Sequence, residues 1–513
     1  MESFDRRALE VRLEAAVEAD DWHRVYEIFD ESWIELFQSS PDVLLLALER
    51  MPDYVLDRQP KLRLAREYIA RNVRGDEHST TYRHSVASFV PVDVVDRLAL
   101  ITGQAAAARS AGRAAESLRL VASAQELLRV QPIGSHPEIA EALPEFHYQW
   151  GLTLERAGEL EGALTEYVEG FDWSVSVGHQ MMQAASGGAI AYLHAVHGRI
   201  AAAQGWLDRQ PRIGAEAWWR SSMAVQARLA EGLVRAARPE SRGPDPLEGI
   251  RTADVMKHWA PYFFVRATAL RSARTARLLR IELDGFLATL PVGQRTDQVS
   301  ADYLETTRLI ISACADELGV VDDDDERPSA TAPVLRQHSA AVRALHLARA
   351  GRTRQALQLA DPLLRADGSR PRILVLALIA SAIATSGDRR RRSLLSEAVA
   401  IARSHDLWSP FHSLPDALRV EARDLFDALG AGEAPSVLWS SDHAPSAGPV
   451  VALTRRERAV VEHAVEGEST AEIAAALLVS VNTVKSQLRS AYRKVGVTSR
   501  SELRDVYRGA AGE

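Results

Sequence analysis

Apolar residues recur along most of this chain with the period of an α-helix. Long segments of Ala, Leu, Arg and Glu are separated by short breaks centred on glycine, and strand-like alternation is scarce. No stretch has the bounded runs of alternating residues that predict a β-sheet. The pattern therefore predicts an all-α protein.

The glycine breaks share a common form. Gly158, Gly198 and Gly351 are each followed five residues later by an alanine, at Ala163, Ala203 and Ala356. Glycine can end one helix, and a small alanine lets the next helix pack closely. Gly158 and Gly198 are forty residues apart, a looser spacing than the ideal 34 of a tetratricopeptide unit. The region resembles a degenerate tetratricopeptide-type solenoid, whose concave surface can bind a peptide, a protein or a small effector.

The C-terminal segment carries four closely spaced helix-start signals. Three of them pair a hydroxyl residue with a glutamate three positions later, as a capping box does, at Thr454/Glu457, Ser469/Glu472 and Ser499/Glu502. The fourth is Ser480, whose hydroxyl can cap the segment Val481 to Lys494. Only Leu478-Val479 separates Ser480 from the preceding helical segment. Two helices joined so tightly predict a helix-turn-helix, with the second helix as the reader of the major groove.

The phase of that second helix supports a role in DNA binding. Its apolar stripe is formed by Val484, Leu488, Ala491 and Val495. The opposite side carries no carboxylate, and its residues are Asn482, Lys485, Ser486, Arg489 and Arg493. Arginine and lysine on such a face can reach guanine edges or phosphates. The alternative, a solvated basic face of an ordinary helix, is less consistent with the tight turn and the repeated caps.

At these residues the chain resembles the LuxR-type helix-turn-helix family of bacterial transcription factors. The resemblance is carried by Leu453-Thr454, Arg456-Glu457, Gly467, Ser469, Glu472-Ile473-Ala474, Ser480, Asn482-Thr483-Val484-Lys485, Lys494, Gly496-Val497 and Arg500. It implies a compact four-helix domain that binds a two-fold DNA site as a homodimer.

The resemblance also implies roles for individual residues. Lys485, Ser486 and Arg489 are expected to face base edges, and Thr483 and Arg493 to lie nearer the DNA backbone. Gln487 stands where the family often has histidine, which leaves the contact at that place open. The full set of expected DNA-binding residues is Ser480, Asn482, Thr483, Lys485, Ser486, Gln487, Arg489, Arg493, Lys494 and Arg500. The expected dimer surface lies on the last helix and consists of Leu503, Val506 and Tyr507.

Composition divides the chain into three parts. Residues 434–449 are rich in Ala, Pro, Ser and Gly and predict a flexible linker. The linker would separate a helical-repeat region, 1–433, from a DNA-binding domain, 450–513. The acidic run from Asp322 to Glu326, followed by Pro328, indicates a surface loop and a possible subdivision near 320–334. A calcium site there is disfavoured because the run lacks the glycine turn of a calcium loop.

Charge confines the expected DNA contact to the C-terminal domain. The 513-residue chain has 46% hydrophobic and 25% charged residues and a net charge of −8, which is typical of folded protein. From Val451 to Glu513 there are ten positive and eight negative residues, so the remainder is acidic. Phosphate affinity depends on local Lys and Arg rather than on whole-chain charge.

Other features are consistent with a cytoplasmic protein, which we expect to act at the nucleoid. A single cysteine, Cys314, excludes an internal disulfide framework. The first residues, Met1 to Asp5, carry acid where a secretory signal needs positive charge. The longest apolar run, Ile373 to Ala384, is shorter than the roughly 20 residues of a membrane-spanning helix and predicts a buried helix.

The chain shows no motif of an enzyme. The stretch from Ala47 to Leu64 is similar to the helical region of MalT-type regulators, but the nucleotide-binding module of those proteins is missing, because the chain has no P-loop sequence. Zinc-binding, paired-cysteine and Gly-x-Ser-x-Gly motifs are also absent. We therefore expect no enzymatic activity, no cofactor and no metal.

Aromatic residues suggest a second possible site. Trp259, Tyr262, Phe263 and Phe264 form a cluster, with Trp218 and Trp219 upstream. They could line an effector pocket, although core packing is the default for aromatic residues at helical spacing.

Together these patterns predict a bacterial transcriptional regulator. It would bind double-stranded DNA through its C-terminal domain, act with RNA polymerase, and be controlled by a small-molecule or protein effector at the helical region, without a membrane partner. The alternative is a protein-interaction scaffold or antagonist with only weak, non-specific DNA binding.

Overall fold

The computed structural model describes residues 6–56, 62, 65–66, 69–70, 91, 93–130, 137–214, 217–238, 244–250, 254–255, 258–290, 298–315, 333–366, 370–430, 435–438, 455–477, 479–495, 500 and 503. Every regular element within these ranges is helical, which confirms the predicted all-α class. None of the described helices is long and apolar enough to cross a membrane.

The described helices fall into a long body and a short C-terminal head. The first part of the body contains α1 (Arg6–Glu18), α2 (Trp22–Ser39), α3 (Pro41–Arg50), α4 (Asp53–Leu56), α5 (Val94–Ser110), α6 (Ala114–Arg129), α7 (Pro137–Arg156), α8 (Leu160–Ser176), α9 (Gln180–His197) and α10 (Ile200–Asp208). The second part contains α11 (Arg220–Met223), α12 (Val225–Ala237), α13 (Trp259–Thr268), α14 (Ala273–Thr289), α15 (Gln298–Ala315), α16 (Val334–Arg349), α17 (Thr353–Arg365), α18 (Pro371–Ala384), α19 (Asp388–His405) and α20 (Asp416–Ala428). The head contains α21 (Arg455–Glu466), α22 (Thr470–Ala476) and α23 (Val481–Val495).

The predicted glycine breaks are turns between helices. Gly158, Gly198 and Gly351 have φ values of 86°, 86° and 75°, in the left-handed region that glycine adopts without steric cost. Asp20 fills the same role after α1 with a φ of 51°, and the side chain of Asp21 then accepts a hydrogen bond from the backbone N–H of Arg24 at the start of α2. The sequence therefore located the three glycine turns correctly.

Consecutive body helices pack on each other, and further contacts join distant parts of the chain. Arg372, on α18, donates hydrogen bonds to the carbonyl oxygens of Ala195 (2.9 Å) and Val196 (3.2 Å) at the end of α9. Gly198 lies against the same segment, and a Cβ there would stand 2.7 Å from the backbone nitrogen of Arg372. A strictly linear stack of repeats brings each unit into contact with its neighbours only, so this contact is additional to the predicted pattern.

The body has a large hydrophobic core that includes residues from Leu160 to Leu438. The apolar run of α18 lies in it, with Ile379 fully buried, as the sequence predicted. A second core joins α1, α2 and α3 to Met181, Met182 and Trp219.

The aromatic cluster around Trp259 belongs to the large core. Trp259, Phe263 and Phe264 are 3%, 2% and 0% exposed, and half-buried Tyr262 lies beneath the guanidinium of Arg266. The structure therefore supports core packing over the effector-pocket hypothesis for these residues.

The body extends past the predicted boundary at residue 433. Ser436–Leu438 forms a 3-10 turn, and Val437 and Leu438 are 1% and 2% exposed within the large core. These residues were expected in the flexible linker because their neighbourhood is rich in Ala, Pro and Ser. The rest of the predicted linker, 439–449, lies outside the described residues, as do residues 320–332 of the possible subdivision.

Candidate nucleic-acid interface

The head contains two helices joined by a tight turn. Helix α22 begins with the predicted capping box: the backbone N–H of Glu472 donates to the Ser469 hydroxyl (3.3 Å), and the N–H of Ser469 donates to the Glu472 carboxylate (2.6 Å). The hydrogen bonding of the Glu472 carboxylate to Ser469 lowers the pKa of Glu472 because it favours the charged form. The turn that follows leads directly into α23.

Ser480 caps the start of α23. Its hydroxyl accepts a hydrogen bond from the backbone N–H of Thr483 (3.1 Å) and lies 2.8 Å from the Thr483 hydroxyl. This confirms the predicted cap. The Ser480 hydroxyl therefore serves the helix start, and its expected DNA contact stays a prediction.

One face of α23 forms the head core. Val484, Leu488 and Ala491 are 0%, 5% and 0% exposed, and they pack with residues of the other head helices, namely Val460, Val461, Ala464, Ile473 and Ala474. The predicted apolar stripe is therefore correct for these three residues. The side chain of Val495 lies outside the described part.

The opposite face of α23 is open to solvent. The exposed residues on and beside it are Asn482, Thr483, Lys485, Ser486 and Arg489, and Gln487 is half-buried at its edge. Two cations and several hydrogen-bonding groups thus project from one helix that is fixed by the packing of its other face. The side chains of Arg493 and Lys494 lie outside the described part of the helix, and their expected contacts stay predictions.

Arg500 has a structural role in the head. Its guanidinium donates hydrogen bonds to the carbonyl oxygens of Ala464 (3.1 and 3.0 Å) and Glu468. It thereby ties the end of α21 to the last segment of the chain. The sequence carries no local sign of these carbonyl partners, which lie more than thirty residues away, and the expected DNA contact of Arg500 stays a prediction.

Leu503 is fully buried in the head core. Its side chain therefore packs inside one chain, which differs from the exposed dimer surface expected from the resemblance. Val506 and Tyr507, the other expected dimer residues, lie outside the described residues.

One group in the head has the composition of a metal site. The potential ligand atoms of His463, Glu466 and Glu468 lie within 4.8 Å of one another. His463 Nδ1 is 3.0 Å from Glu468 Oε2, so this pair already forms a hydrogen bond that closes the turn after α21. Exposed acidic groups of this kind are common without a metal, and we assign the group to the turn.

Comparison with known proteins agrees with this geometry. A family model described as "Bacterial regulatory proteins, luxR family" matches residues 451–507. The spore germination protein GerE of Bacillus subtilis (strain 168) is 44% identical over 50 residues, which make up 10% of this chain and 68% of that protein. No solved structure matches.

The matched residues contain the whole described head, including the capped turn and the open cationic face of α23. The comparisons thus agree with the resemblance inferred from the capping signals, and they concern a family of DNA-binding regulators rather than enzymes. This chain belongs to the LuxR family of bacterial regulatory proteins, and its C-terminal domain is that of a DNA-binding transcriptional regulator.

Proposed function

We propose that this protein is a transcriptional regulator that reads a two-fold promoter site through α23 and is controlled by an effector or protein partner at its helical body. The observation that carries the proposal is the exposed cationic face of α23, held at a defined angle by the Ser480 cap and the buried stripe. In this proposal the body is a degenerate tetratricopeptide-type stack and the protein acts at the nucleoid in the cytoplasm, together with RNA polymerase.

The side chains on the open face suit the chemistry of the major groove. An α-helix with its side chains is about 10–12 Å wide, which matches a groove about 12 Å wide. Lys485 and Arg489 can donate to guanine O6 and N7, and Asn482 can form paired hydrogen bonds with adenine. Thr483, near the helix start, would contact phosphate and fix the register.

Recognition of a two-fold site requires two heads. A dimer would place its recognition helices about 34 Å apart, one turn of DNA. We assign the pairing to the last segment, through Val506 and Tyr507. Since Leu503 is buried within its own chain, its proposed part is to hold that segment against the head core.

A contact between body and head supports control of DNA binding by the body. Leu278 and Ile281 of α14 are half-buried against the head core, and α14 contacts α23. In this proposal, the body helix that packs beside α23 limits how closely the head can approach DNA. An effector that weakens this contact would therefore release the head.

The proposal is tested by selecting genomic fragments with the purified full-length protein and its Lys485→Ala/Arg489→Ala variant at two salt concentrations. Each good base contact contributes about 1–3 kcal/mol, so the variant should lose at least about tenfold in affinity for the selected site. The matched control is Arg389→Ala/Arg390→Ala, which removes two exposed positive charges from the start of α19.

Enrichment of a shared two-fold sequence by the wild type and the control, but not by the head variant, is the expected result. Salt-dependent binding with no sequence enrichment would instead favour the scaffold or antagonist, because phosphate contacts alone give affinity without specificity.

A further inference from the structure

A cavity of about 260 Å³ lies among the N-terminal helices of the body. Its walls come from α2, α5 and α7, and are completed by Leu62, Ala65, Ile69 and His179. An engineered protein cavity of about 150 Å³ holds benzene, so this space has room for a fused two-ring molecule. No local pattern in the sequence indicates this cavity.

Aromatic side chains form much of the wall. They are Tyr26, Phe29, Trp33, Phe37 and Phe146. Phe29 and Trp33 meet edge to face, with ring centroids 5.7 Å apart. Rings arranged in this way offer both apolar surface and the negative faces that attract a cation.

Among the described residues that line the cavity, the charged ones are acidic. Asp30, Glu141 and Glu145 line it, and the described part of the lining contains no lysine or arginine. Glu141 and Glu145 are one helical turn apart on α7 and so lie on the same side of that helix. The Arg109 guanidinium donates to the backbone and side-chain oxygens of Gln149 and to the Thr153 hydroxyl on the same helix.

His179 provides a buried polar group beside the aromatic wall. It is 4% exposed and meets Phe37 edge to face, and its Nδ1 has no hydrogen-bond partner. Burial lowers the pKa of His179 to about 4, so the ring is uncharged at neutral pH. The neutral ring therefore does not oppose the charge of a cation in the cavity.

We propose that this cavity binds a small aromatic organic cation. The aromatic wall and the carboxylates attract such a molecule through cation–π and ionic interactions. An anion would be repelled by the same carboxylates, a bare metal ion would not use the aromatic wall, and a folded partner would not fit the volume. The inference rests on the proposed regulatory function only in that such a ligand would be the effector.

The test is calorimetric titration of the full-length protein, without DNA, using three probes of similar shape. They are the cation 1-methylquinolinium, the uncharged 1-methylnaphthalene and the anion 1-naphthoate. We expect the cation to bind at least about tenfold more tightly than the uncharged probe, which corresponds to about 1.4 kcal/mol, and the anion to bind most weakly.

Variants separate the charge from the shape of the cavity. Glu141→Gln/Glu145→Gln keeps the volume of both side chains and should reduce the preference for the cation to less than about threefold. Glu169→Gln, an exposed position on α8 away from the cavity, is the matched control and should leave the preference unchanged. Trp33→Leu should weaken binding of the cation more than binding of the uncharged probe.

The inference is overturned if no probe binds, if the uncharged or anionic probe binds as tightly as the cation, or if the double glutamine variant retains the full preference. These outcomes leave sequence-specific DNA binding untouched. Conversely, the Lys485→Ala/Arg489→Ala variant should bind the cation like the wild type, so failure of the DNA-binding proposal would not affect the cavity.

Discussion

Truncating the two residues of α14 that contact the head should increase DNA binding. The perturbation is Leu278→Ala/Ile281→Ala, which removes most of both side chains. Alanine has a high helix propensity, so α14 itself should remain helical. Both residues are half-buried and pack against the head core. If the body holds the head in a closed arrangement, the variant will shift the equilibrium toward a free head.

The size of this shift follows from the buried surface. Full burial of a leucine or isoleucine side chain contributes about 1.5–3 kcal/mol, so two half-buried residues together stabilise the closed arrangement by about 2 kcal/mol. At about 1.4 kcal/mol for each factor of ten, the closed-to-open ratio should fall about 30-fold. Apparent DNA affinity scales with the fraction of open protein, so it should rise by up to that factor when the closed arrangement dominates.

The assay is a DNA titration by fluorescence anisotropy on the selected site, at fixed salt and protein concentration range. Val420→Ala serves as the control, because Val420 is a 47% exposed apolar residue on α20 that is not part of the contact with the head. An unchanged DNA affinity in the α14 variant, with its fold intact by circular dichroism, would refute masking of the head by the body.

Three further predictions concern stability. Gly198→Ala should lower the free energy of unfolding by about 1–2 kcal/mol because alanine disfavours a left-handed φ, and by about a further 1–3 kcal/mol because its Cβ is overpacked. Gly351 has open space around it, so Gly351→Ala should show only the first of these losses. A smaller shift of the urea midpoint for Gly198→Ala than for Gly351→Ala would contradict this prediction. Burial holds the pKa of His197 and His338 at about 3, below the ordinary value of 6.5, so the unfolded chain takes up protons before the folded chain does as the pH falls. The free energy of unfolding should therefore have its full value above pH 6.5 and decrease as the pH drops toward 3. A urea midpoint that does not change with pH between these values would contradict this prediction. Arg500→Ala should lower the stability of the head by about 1.5–3 kcal/mol for each charged hydrogen bond that is removed, and this loss should appear as faster amide hydrogen exchange in α21. Unchanged exchange would show that the Arg500 side chain does not stabilise the head.

The head was largely predictable because its signals are local. A cap and its partner are three residues apart, as at Ser469 and Glu472, and the apolar stripe of α23 repeats every three or four residues. The glycine turns of the body are equally local, because a left-handed φ selects the residue at that position. Such patterns determine helix ends and helix faces before any tertiary contact forms.

Tertiary partners leave no comparable pattern. Arg500 and Lys485 look equivalent in the sequence, yet one donates to carbonyl oxygens inside the head and the other faces solvent. Leu503 was expected on the surface because the resemblance concerned whole helices, whereas burial depends on which side of the last segment meets the core. Val437 and Leu438 were predicted to lie in a linker because the residues around them are rich in Ala, Pro and Ser. Their two apolar side chains nevertheless attach that turn to the core of the body.

The cavity shows the same limit most clearly. Its aromatic residues on α2 recur at helical spacing, which is also the spacing of an ordinary core face, and Phe29 and Phe37 are indeed buried. Its glutamates on α7 look like a solvated stripe when α7 is considered alone. The two stripes become one site only because α2, α5 and α7 converge without filling the space between them. The juxtaposition of the acidic stripe and the incompletely packed aromatic face therefore depends on how the three helices are arranged. A preference of the cavity for the cationic probe over the uncharged and anionic probes would test that arrangement.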